Sequence, residues 1–406
     1  MPDIVDFVFG VPNSKISSRG PKIILYKELK DDSTIGSFET ILIRIYRENE
    51  GGKPKFKPIE KLDDFNKREI EKWLDTERKL ISVDLDKALK EECKNKNLDN
   101  AKKAIMSWFT GENLGETLRK TKSGNIGFLI FKTRDKDLYE HCVRVLQELY
   151  QEYRDLDILY VKPQKLDDET KRELISLIWG NLKFKKEELS GIVHFDDLFN
   201  YFKREFEERL ESISRQEPYI SITKRHRGLN ESDDIHYPVK VFVVKYIANT
   251  LGLKRIKDIN IMKRLIHTEE TFNRDRFSGD RVTYPDIYVD TSAQYFGNEV
   301  FEIETLFGEG MYSLKKIDET IEKYEQISNP PLRVNIVLEN MTFLIHFKDI
   351  IEKKKIHQKL NRNFDIEFWT LDIQNNKLLP LQEVIKEIKS LYLALSRNSE
   401  MPQFPS

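Results

Sequence analysis

Cysteine, glycine and proline are all scarce in this chain of 406 residues. Its two cysteines, Cys93 and Cys142, lie far apart and in no CxxC or Cys/His spacing, which excludes a disulfide framework and a zinc finger. With 17 glycines and 14 prolines, the chain is neither collagenous nor of low complexity. Long hydrophobic runs are missing too, because lysines interrupt even the apolar stretch 239–248. The sequence therefore predicts no membrane span.

An excess of charge of either sign is also absent. The 68 Lys and Arg residues balance 69 Asp and Glu residues, for a formal net charge of -1. This balance excludes a globally basic nucleic-acid coat protein, so polyanion binding would have to come from local patches. The chain does have 39% hydrophobic and 11% aromatic residues, enough to exclude a wholly disordered protein. Because its start lacks a basic region, it is expected to be a soluble, cytoplasmic protein.

The length predicts two or three domains, each with its own core. An N-terminal α/β domain is expected over residues 1–165, followed by a charged helical connector over 166–224. A second α/β domain is expected over 225–395, with a flexible tail over 396–406. In the first domain, strands are predicted at 4–11, 22–29, 38–46, 124–132 and 157–163, with helices at 64–97 and 139–150.

The second domain is predicted to have the element order αβββαβ, extended by a further strand. Amphipathic and alternating patterns give a helix at 237–253, strands at 264–272, 284–290 and 298–306, a helix at 313–327, and strands at 333–340 and 364–372.

Three acidic residues on two of these strands could form one site. Asp286 follows a proline at the start of the second strand, and Glu302 and Glu304 lie two apart on the third. Alternate residues of a strand project from the same face, so the three carboxylates converge if the two strands pair as a hairpin. Such a group repels itself unless a cation neutralises it, and hard ions such as Mg²⁺ or Mn²⁺ prefer oxygen ligands.

The PD pair ending at Asp286 and the ExE triplet from Glu302 to Glu304 resemble the motif of the PD-(D/E)xK nuclease superfamily, which includes many restriction endonucleases. The resemblance covers roughly residues 230–375 and implies a restriction-endonuclease-like core with a central mixed sheet. It also implies that Asp286 and Glu302 bind Mg²⁺ or Mn²⁺, with the carbonyl oxygen of Ile303 as a further ligand. The third acid would then position or deprotonate the attacking water.

Most members of that superfamily have lysine where this chain has Glu304. Three explanations stay open: a glutamate-based mechanism, a lysine supplied by the following helix (Lys315 or Lys316), or an inactive site. An upstream acid would complete the site, and Glu269 is preferred because it neighbours the proposed active strands. The candidates for this acid are Glu231, Glu269 and Glu270.

Basic residues near the acids allow two interpretations. Lys224, Arg225 and Arg227 could bind a phosphate backbone, or they could be an ordinary solvated loop. The segments 119–125 and 352–363 have the same ambiguity. Three arginines, Arg274, Arg276 and Arg281, could instead pair with the acids of a solvent-facing hairpin.

The function expected from this pattern is a metal-dependent endonuclease that hydrolyses phosphodiester bonds of DNA. The N-terminal domain would serve substrate recognition or bind a protein partner, and cutting of a duplex by one site per chain favours a homodimer. A catalytically inactive nuclease-like scaffold that binds nucleic acid or protein is the alternative. A sensor whose N-terminal βαβ unit binds a small ligand is a third hypothesis. The histidines, including His236, fall in no metal-ligand pair and are expected to be structural.

Overall fold

The computed structural model describes residues 3–18, 20–61, 79–89, 126–152, 157–225, 235–272, 283–290, 296–310, 312–360 and 362–398. Several sequence predictions concern residues outside these ranges. They are most of the helix at 64–97, Cys93, the basic segment 119–125, Arg227, Glu231, the three arginines at 274, 276 and 281, and the end of the tail. The described part of that helix prediction is wrong over residues 79–84, which form a strand, and is helical over 85–88.

The chain divides into two compact units. The first comprises Met1–Lys165, Val193–Asp196 and Phe307–Ser313, and the second comprises Leu166–Ile192, Asp197–Leu306 and Leu314–Ser406. Most of the segment that was expected to connect two domains is thus part of the second unit.

The first unit contains a five-stranded sheet made of β1 (Pro21–Lys27), β2 (Lys55–Ile59), β3 (Lys79–Asp84), β4 (Gly127–Thr133) and β5 (Asp157–Val161). The strand order is β2-β3-β4-β1-β5, and every strand pairs in parallel with its neighbours. The central strand, β4, is buried on both faces, which explains its continuous apolar sequence: residues 128–131 are wholly inaccessible. The helices described in this unit are α1 (Ile4–Phe9), α2 (Asn13–Ile16), α3 (Ile35–Glu50), α4 (Leu85–Ala88) and α5 (Lys136–Glu152).

Three of the strands predicted in this unit are confirmed as β1, β4 and β5, and the helix predicted between the last two is α5. These last three elements form the predicted βαβ unit, and β1 lies between its two strands. The buried thiol of Cys142 on α5 packs in the hydrophobic core below the sheet.

The strand predicted at 4–11 is wrong, because the segment forms helix α1. Asp3 Oδ1 accepts the N–H of Asp6 at 2.9 Å and caps the start of the helix, and Gly10 ends it with a φ of 68°. Valine and phenylalanine favour strands by propensity, but here the caps at both ends outweigh that preference.

The strand predicted at 38–46 is also wrong, because these residues lie within α3. The alternation of isoleucines in this segment imitates a half-buried strand. The same segment also repeats apolar residues every three or four positions, and this is the pattern that the fold uses. The buried residues of that helical face are Phe38, Ile41, Leu42 and Ile45.

The remaining elements contain the predicted order of helices and strands, with further helices and a further strand among them. They are α6 (Asp168–Ile178), α7 (Phe195–Ile213), α8 (His236–Thr250), a 3₁₀ turn (Ile256–Asp258), α9 (Ile259–Leu265), β6 (Ile266–Thr268), β7 (Ile287–Val289), β8 (Glu299–Glu304), α10 (Lys315–Glu325), β9 (Arg333–Leu338), α11 (Asn340–Ile345), α12 (Phe347–Lys359), β10 (Asp365–Asp372), β11 (Lys377–Pro380) and α13 (Leu381–Asn398).

The second unit contains a mixed six-stranded sheet with the order β11-β10-β9-β8-β7-β6. Strands β6, β7 and β8 form an antiparallel meander, whereas β8, β9 and β10 pair in parallel. A parallel connection needs a crossover, and α10 supplies it between β8 and β9. The predicted α/β class is therefore confirmed, with one parallel and one mixed sheet.

The strand predicted at 264–272 is much shorter than expected. Helix α9 includes its first two residues, and β6 pairs over three residues. Glu269 then adopts a positive φ of 51°, which ends the strand. Among the described residues, no helix has the length and apolar character needed to cross a membrane.

Candidate active site

Asp286 and Glu302 face each other across two paired strands. Strands β7 and β8 are antiparallel with Ile287 opposite Phe301, so Asp286 lies opposite Glu302. The N–H of Asp286 donates to Glu302 Oε2 at 3.3 Å, and Asp286 Oδ2 accepts the N–H of Ile303 at 2.9 Å. The register of the hairpin therefore brings the first two predicted site residues into contact.

Glu304 projects from the same face of β8 as Glu302, and both glutamates accept hydrogen bonds from hydroxyl groups of α10. Tyr324 Oη donates to Glu302 Oε1 at 2.5 Å, and Thr320 Oγ1 donates to Glu304 Oε1 at 2.6 Å. Residues four apart lie on one face of a helix, so a single face of α10 supplies both donors. This crossover helix therefore fixes one oxygen of each glutamate.

A lysine from α8 completes the group. Lys240 is wholly buried, and its Nζ lies 2.6 Å from Asp286 Oδ1 and also bonds Glu269 Oε1. His236, one helical turn earlier, places Nε2 3.3 Å from Asp286 Oδ2. Asp286 thus has two basic neighbours from one helix face.

Of the two described candidates for an upstream acid, only Glu269 reaches this group. Its left-handed backbone follows the last residue of β6, and its N–H donates to the carbonyl of Asp286 at 3.3 Å. Glu270 instead pairs with Lys224 Nζ at 2.6 Å and His267 Nδ1 at 3.0 Å.

The Lys240–Asp286 pair stays charged. Burial alone would raise the pKa of Asp286, but His236 and Lys240 outweigh burial and hold that pKa well below its usual range. Burial alone would lower the pKa of Lys240, yet the carboxylates of Asp286 and Glu269 raise it. The buried cation therefore neutralises the aspartate at the centre of the group.

Glu302 and Glu304 are compensated only in part, because the charge of Lys323 lowers both of their pKa values without outweighing burial. Burial raises the pKa of Glu302 to about 8, and the negative charge of Asp286 adds to the effect. Burial likewise raises the pKa of Glu304 to about 7, although the bond from Thr320 opposes the shift. No lysine, arginine or histidine of the described residues forms an ion pair with either glutamate. Near neutral pH, these side chains need either a proton or a further cation.

The donor set suits a hard divalent ion. The side chains of Asp286, Glu302 and Glu304 offer only oxygen ligands. The N–H of Ile303 faces Asp286, and the carbonyl group of Ile303 therefore points to the same edge of β8. Within the described ranges, no three Asp, Glu, His or Cys side chains form a group that could hold a metal unaided. Mg²⁺, however, keeps several waters and takes one or two protein carboxylates, so the residues present fit a hydrated ion.

The lysines that were expected from α10 lie differently. Lys315 is largely exposed and pairs with Glu319 at 3.0 Å, on the outer surface of the helix. Lys316 lowers the pKa of Glu304 through its charge. Neither replaces Lys240 as the direct cationic partner of Asp286.

Sequence reasoning missed Lys240 and His236. The sequence did contain a signal, because Lys240 interrupts an apolar helical stretch. A lysine is almost never fully buried unless it is paired, so its position predicts a buried acidic partner. The identity of that partner depends on packing between α8 and the sheet, which the helix alone does not reveal.

Lys224, one of the predicted phosphate-binding residues, lies beside β6. The N–H of Lys224 donates to Thr268 Oγ1 at 2.8 Å, and its ammonium is neutralised by Glu270. The guanidinium of Arg225 lies over the ring of Tyr237, 4.5 Å from its centre. Arg227 falls outside the described residues.

No known protein-family model matches the chain, and a comparison with curated proteins finds no similar sequence. The case for a function therefore depends on the geometry of the site.

Proposed function

We propose that the second unit is a metal-dependent endonuclease with a restriction-endonuclease-like core, acting on DNA. The element order αβββαβ, the antiparallel meander β6-β7-β8 and the parallel pair β8-β9 support this core. The observation that carries the proposal is the direct opposition of Asp286 and Glu302 on paired strands, with Glu304 on the same face. Five further side chains surround these acids. Four of them donate hydrogen bonds or carry positive charge, namely His236, Lys240, Thr320 and Tyr324, and the fifth, Glu269, is a further acid.

Asp286, Glu302 and the carbonyl of Ile303 would hold the metal ion. When bound, Mg²⁺ or Mn²⁺ supplies a water of lowered pKa and charge stabilisation for the phosphate. Asp286 is suited to this task because Lys240 and His236 keep its carboxylate ionised. The two basic residues also fix both of its oxygens before any substrate arrives.

Glu304 is suited to accept the proton of the attacking water. Its pKa is raised to about 7 by burial, which suits general base chemistry near neutral pH. Thr320 fixes Oε1, and Oε2 has no hydrogen-bond partner in the described part of the chain. Most members of the superfamily have a lysine at the position of Glu304. In this chain Lys240, on α8, supplies the positive charge to the site instead.

Cleavage assays with metal added and removed test the proposal. The full-length chain is expected to cut plasmid or linear duplex DNA with Mg²⁺ or Mn²⁺ and to stop cutting in EDTA. An Asp286→Asn variant purified in parallel is expected to show no cleavage, which separates the chain's own activity from a contaminant. Equal cleavage with EDTA would contradict the role of the metal.

Metal binding can also be measured without catalysis. A ligand that binds only the folded state stabilises it by about 2.7 kcal/mol at 100 times its Kd, so Mg²⁺ is expected to raise the melting temperature. Glu302→Gln removes a buried carboxylate that has no ion pair. This variant is expected to melt higher than the parent without metal and to lose the response to Mg²⁺.

Glu299→Gln provides the matched control for this measurement. Glu299 is buried on the other face of β8, where its Oε2 accepts Asn335 Nδ2 at 2.9 Å. Its substitution is expected to preserve the response to Mg²⁺. An unchanged response in Glu302→Gln would show that the ion binds elsewhere.

One observation favours a second candidate, the catalytically inactive scaffold. The ammonium of Lys240 already forms ion pairs with both Asp286 and Glu269, so part of the acidic group is stabilised without any metal. A chain that binds DNA, shows no Mg²⁺-dependent stabilisation and cuts no DNA or RNA would have this function.

A further inference from the structure

A strongly basic surface, here called the 254–264 patch, lies between α8 and β6. It contains five exposed cations in eleven residues and a single acid, Asp258. Asp258 Oδ2 accepts the backbone N–H groups of Lys254 and Arg255, at 3.2 and 3.0 Å. The five cations are Lys254, Arg255, Lys257, Lys263 and Arg264.

None of these five side chains forms an ion pair with a carboxylate in the described part of the chain. Other basic surfaces of the second unit are balanced in part by ion pairs. On α12, Lys353 pairs with Asp318 at 2.5 Å and Lys354 pairs with Glu367 at 3.0 Å. The cation of Lys224 is likewise paired with Glu270. The 254–264 patch therefore carries an excess of positive charge that the protein's own acids leave uncompensated.

The patch is also placed close to the candidate active site. Its last residue, Arg264, is followed by one more residue of α9 and then by β6, whose end leads to Glu269. Five residues of extended chain span at most about 18 Å. The patch itself is roughly 16 Å long, from the rise of its 3₁₀ and α-helical turns. Both distances are shorter than one turn of duplex DNA, about 34 Å.

We propose that the 254–264 patch binds the phosphate backbone of the duplex whose strands the candidate active site cuts. This inference rests on the proposed function. Each strand of duplex DNA presents one negative charge per about 3.4 Å of axis, or about five charges over the length of this patch, which five uncompensated cations can match. A membrane surface fits less well, because an interfacial helix buries a whole apolar face, whereas Ile256 and Ile261 are the two large apolar side chains exposed in this described segment.

The salt dependence of binding tests this assignment. The full chain in EDTA is titrated with a 30-base-pair duplex over a range of salt concentrations, so that binding is measured without cleavage. In the triple variant Lys254→Gln, Lys257→Gln, Lys263→Gln, we expect the slope of log affinity against log salt to fall by about 3. Affinity near physiological salt is expected to fall about tenfold or more.

The matched control removes three exposed lysines from α12, in the variant Lys348→Gln, Lys355→Gln, Lys359→Gln. We expect this control to keep nearly the parental slope, and melting curves verify that both variants fold. Equal slopes in the two triple variants would overturn the proposal, as would a parent that binds no duplex. Loss of binding to phosphatidylserine vesicles with DNA binding intact would assign the patch to membranes instead.

The outcomes distinguish this inference from the proposed function. If the patch binds DNA but the chain never cuts, the nuclease proposal fails and the patch assignment stands. If the chain cuts with Mg²⁺ while the patch variant binds and cuts like the parent, the patch assignment fails alone.

Discussion

Lys240→Met is expected to lower the free energy of unfolding by about 3–5 kcal/mol and to abolish cleavage. Methionine keeps most of the volume of the side chain but leaves Asp286 and Glu269 buried without their shared cation. Removing one partner of a buried ion pair costs this much because the remaining charge has lost both water and counter-charge. Denaturant unfolding curves measure the first effect, and a cleavage assay on the folded variant measures the second.

Two further variants control this result. Lys245→Met, on the same helix, removes a lysine whose Nζ donates to the neutral oxygen of Gln216 at 2.9 Å. This change is expected to cost about 1 kcal/mol, the usual contribution of one hydrogen bond. In the double variant Lys240→Met, Glu269→Gln, one unpaired carboxylate is gone and part of the stability should return. If Lys240→Met is as stable as Lys245→Met, the buried pair has been misassigned.

Glu304→Gln is expected to reduce the cleavage rate by about 10²-fold or more while leaving the affinity for DNA unchanged. Glutamine can still accept the hydroxyl of Thr320, so the loss would isolate the role of the carboxylate as a proton acceptor. Single-turnover cleavage and binding measured in EDTA separate the two quantities.

Lysines of α10 provide the comparison. Lys315→Met is expected to cut at the parental rate, because that ammonium is paired with Glu319 on the exposed surface. Lys316→Met is expected to have a small effect, through its charge near Glu304. If Glu304→Gln cuts normally while Lys316→Met is inactive, the glutamate is not the base and the lysine of α10 is required.

The local part of the site could be predicted from the sequence, whereas its long-range part could not. The convergence of Asp286, Glu302 and Glu304 depends on the two-residue period of a strand and on one hairpin, both visible in a short segment. The pairing of Lys240 with Asp286 depends on how a helix packs on the sheet. Sequence spacing gives no direct measure of that packing.

The fold shows the same division. Alternation and continuous apolar runs identified most strands correctly. In segments 4–11 and 38–46, however, β-branched and aromatic residues supported both a strand and a helix. Capping at Asp3 and Gly10 decided the first case, and packing of one helical face decided the second. Propensity alone could not choose between these alternatives because tertiary contacts can override it.

The position of Lys240 has a consequence for how this sequence can diverge. Its ammonium and the carboxylate of Glu304 come from different elements but act on the same aspartate. Exchanging either one for the opposite charge changes the charge of a buried group by two, which folding would not tolerate easily. Exchanging both residues together leaves the total charge of the buried group unchanged. Among orthologues, lysine and glutamate at positions 240 and 304 should therefore covary, with the lysine moving to the strand whenever it leaves the helix.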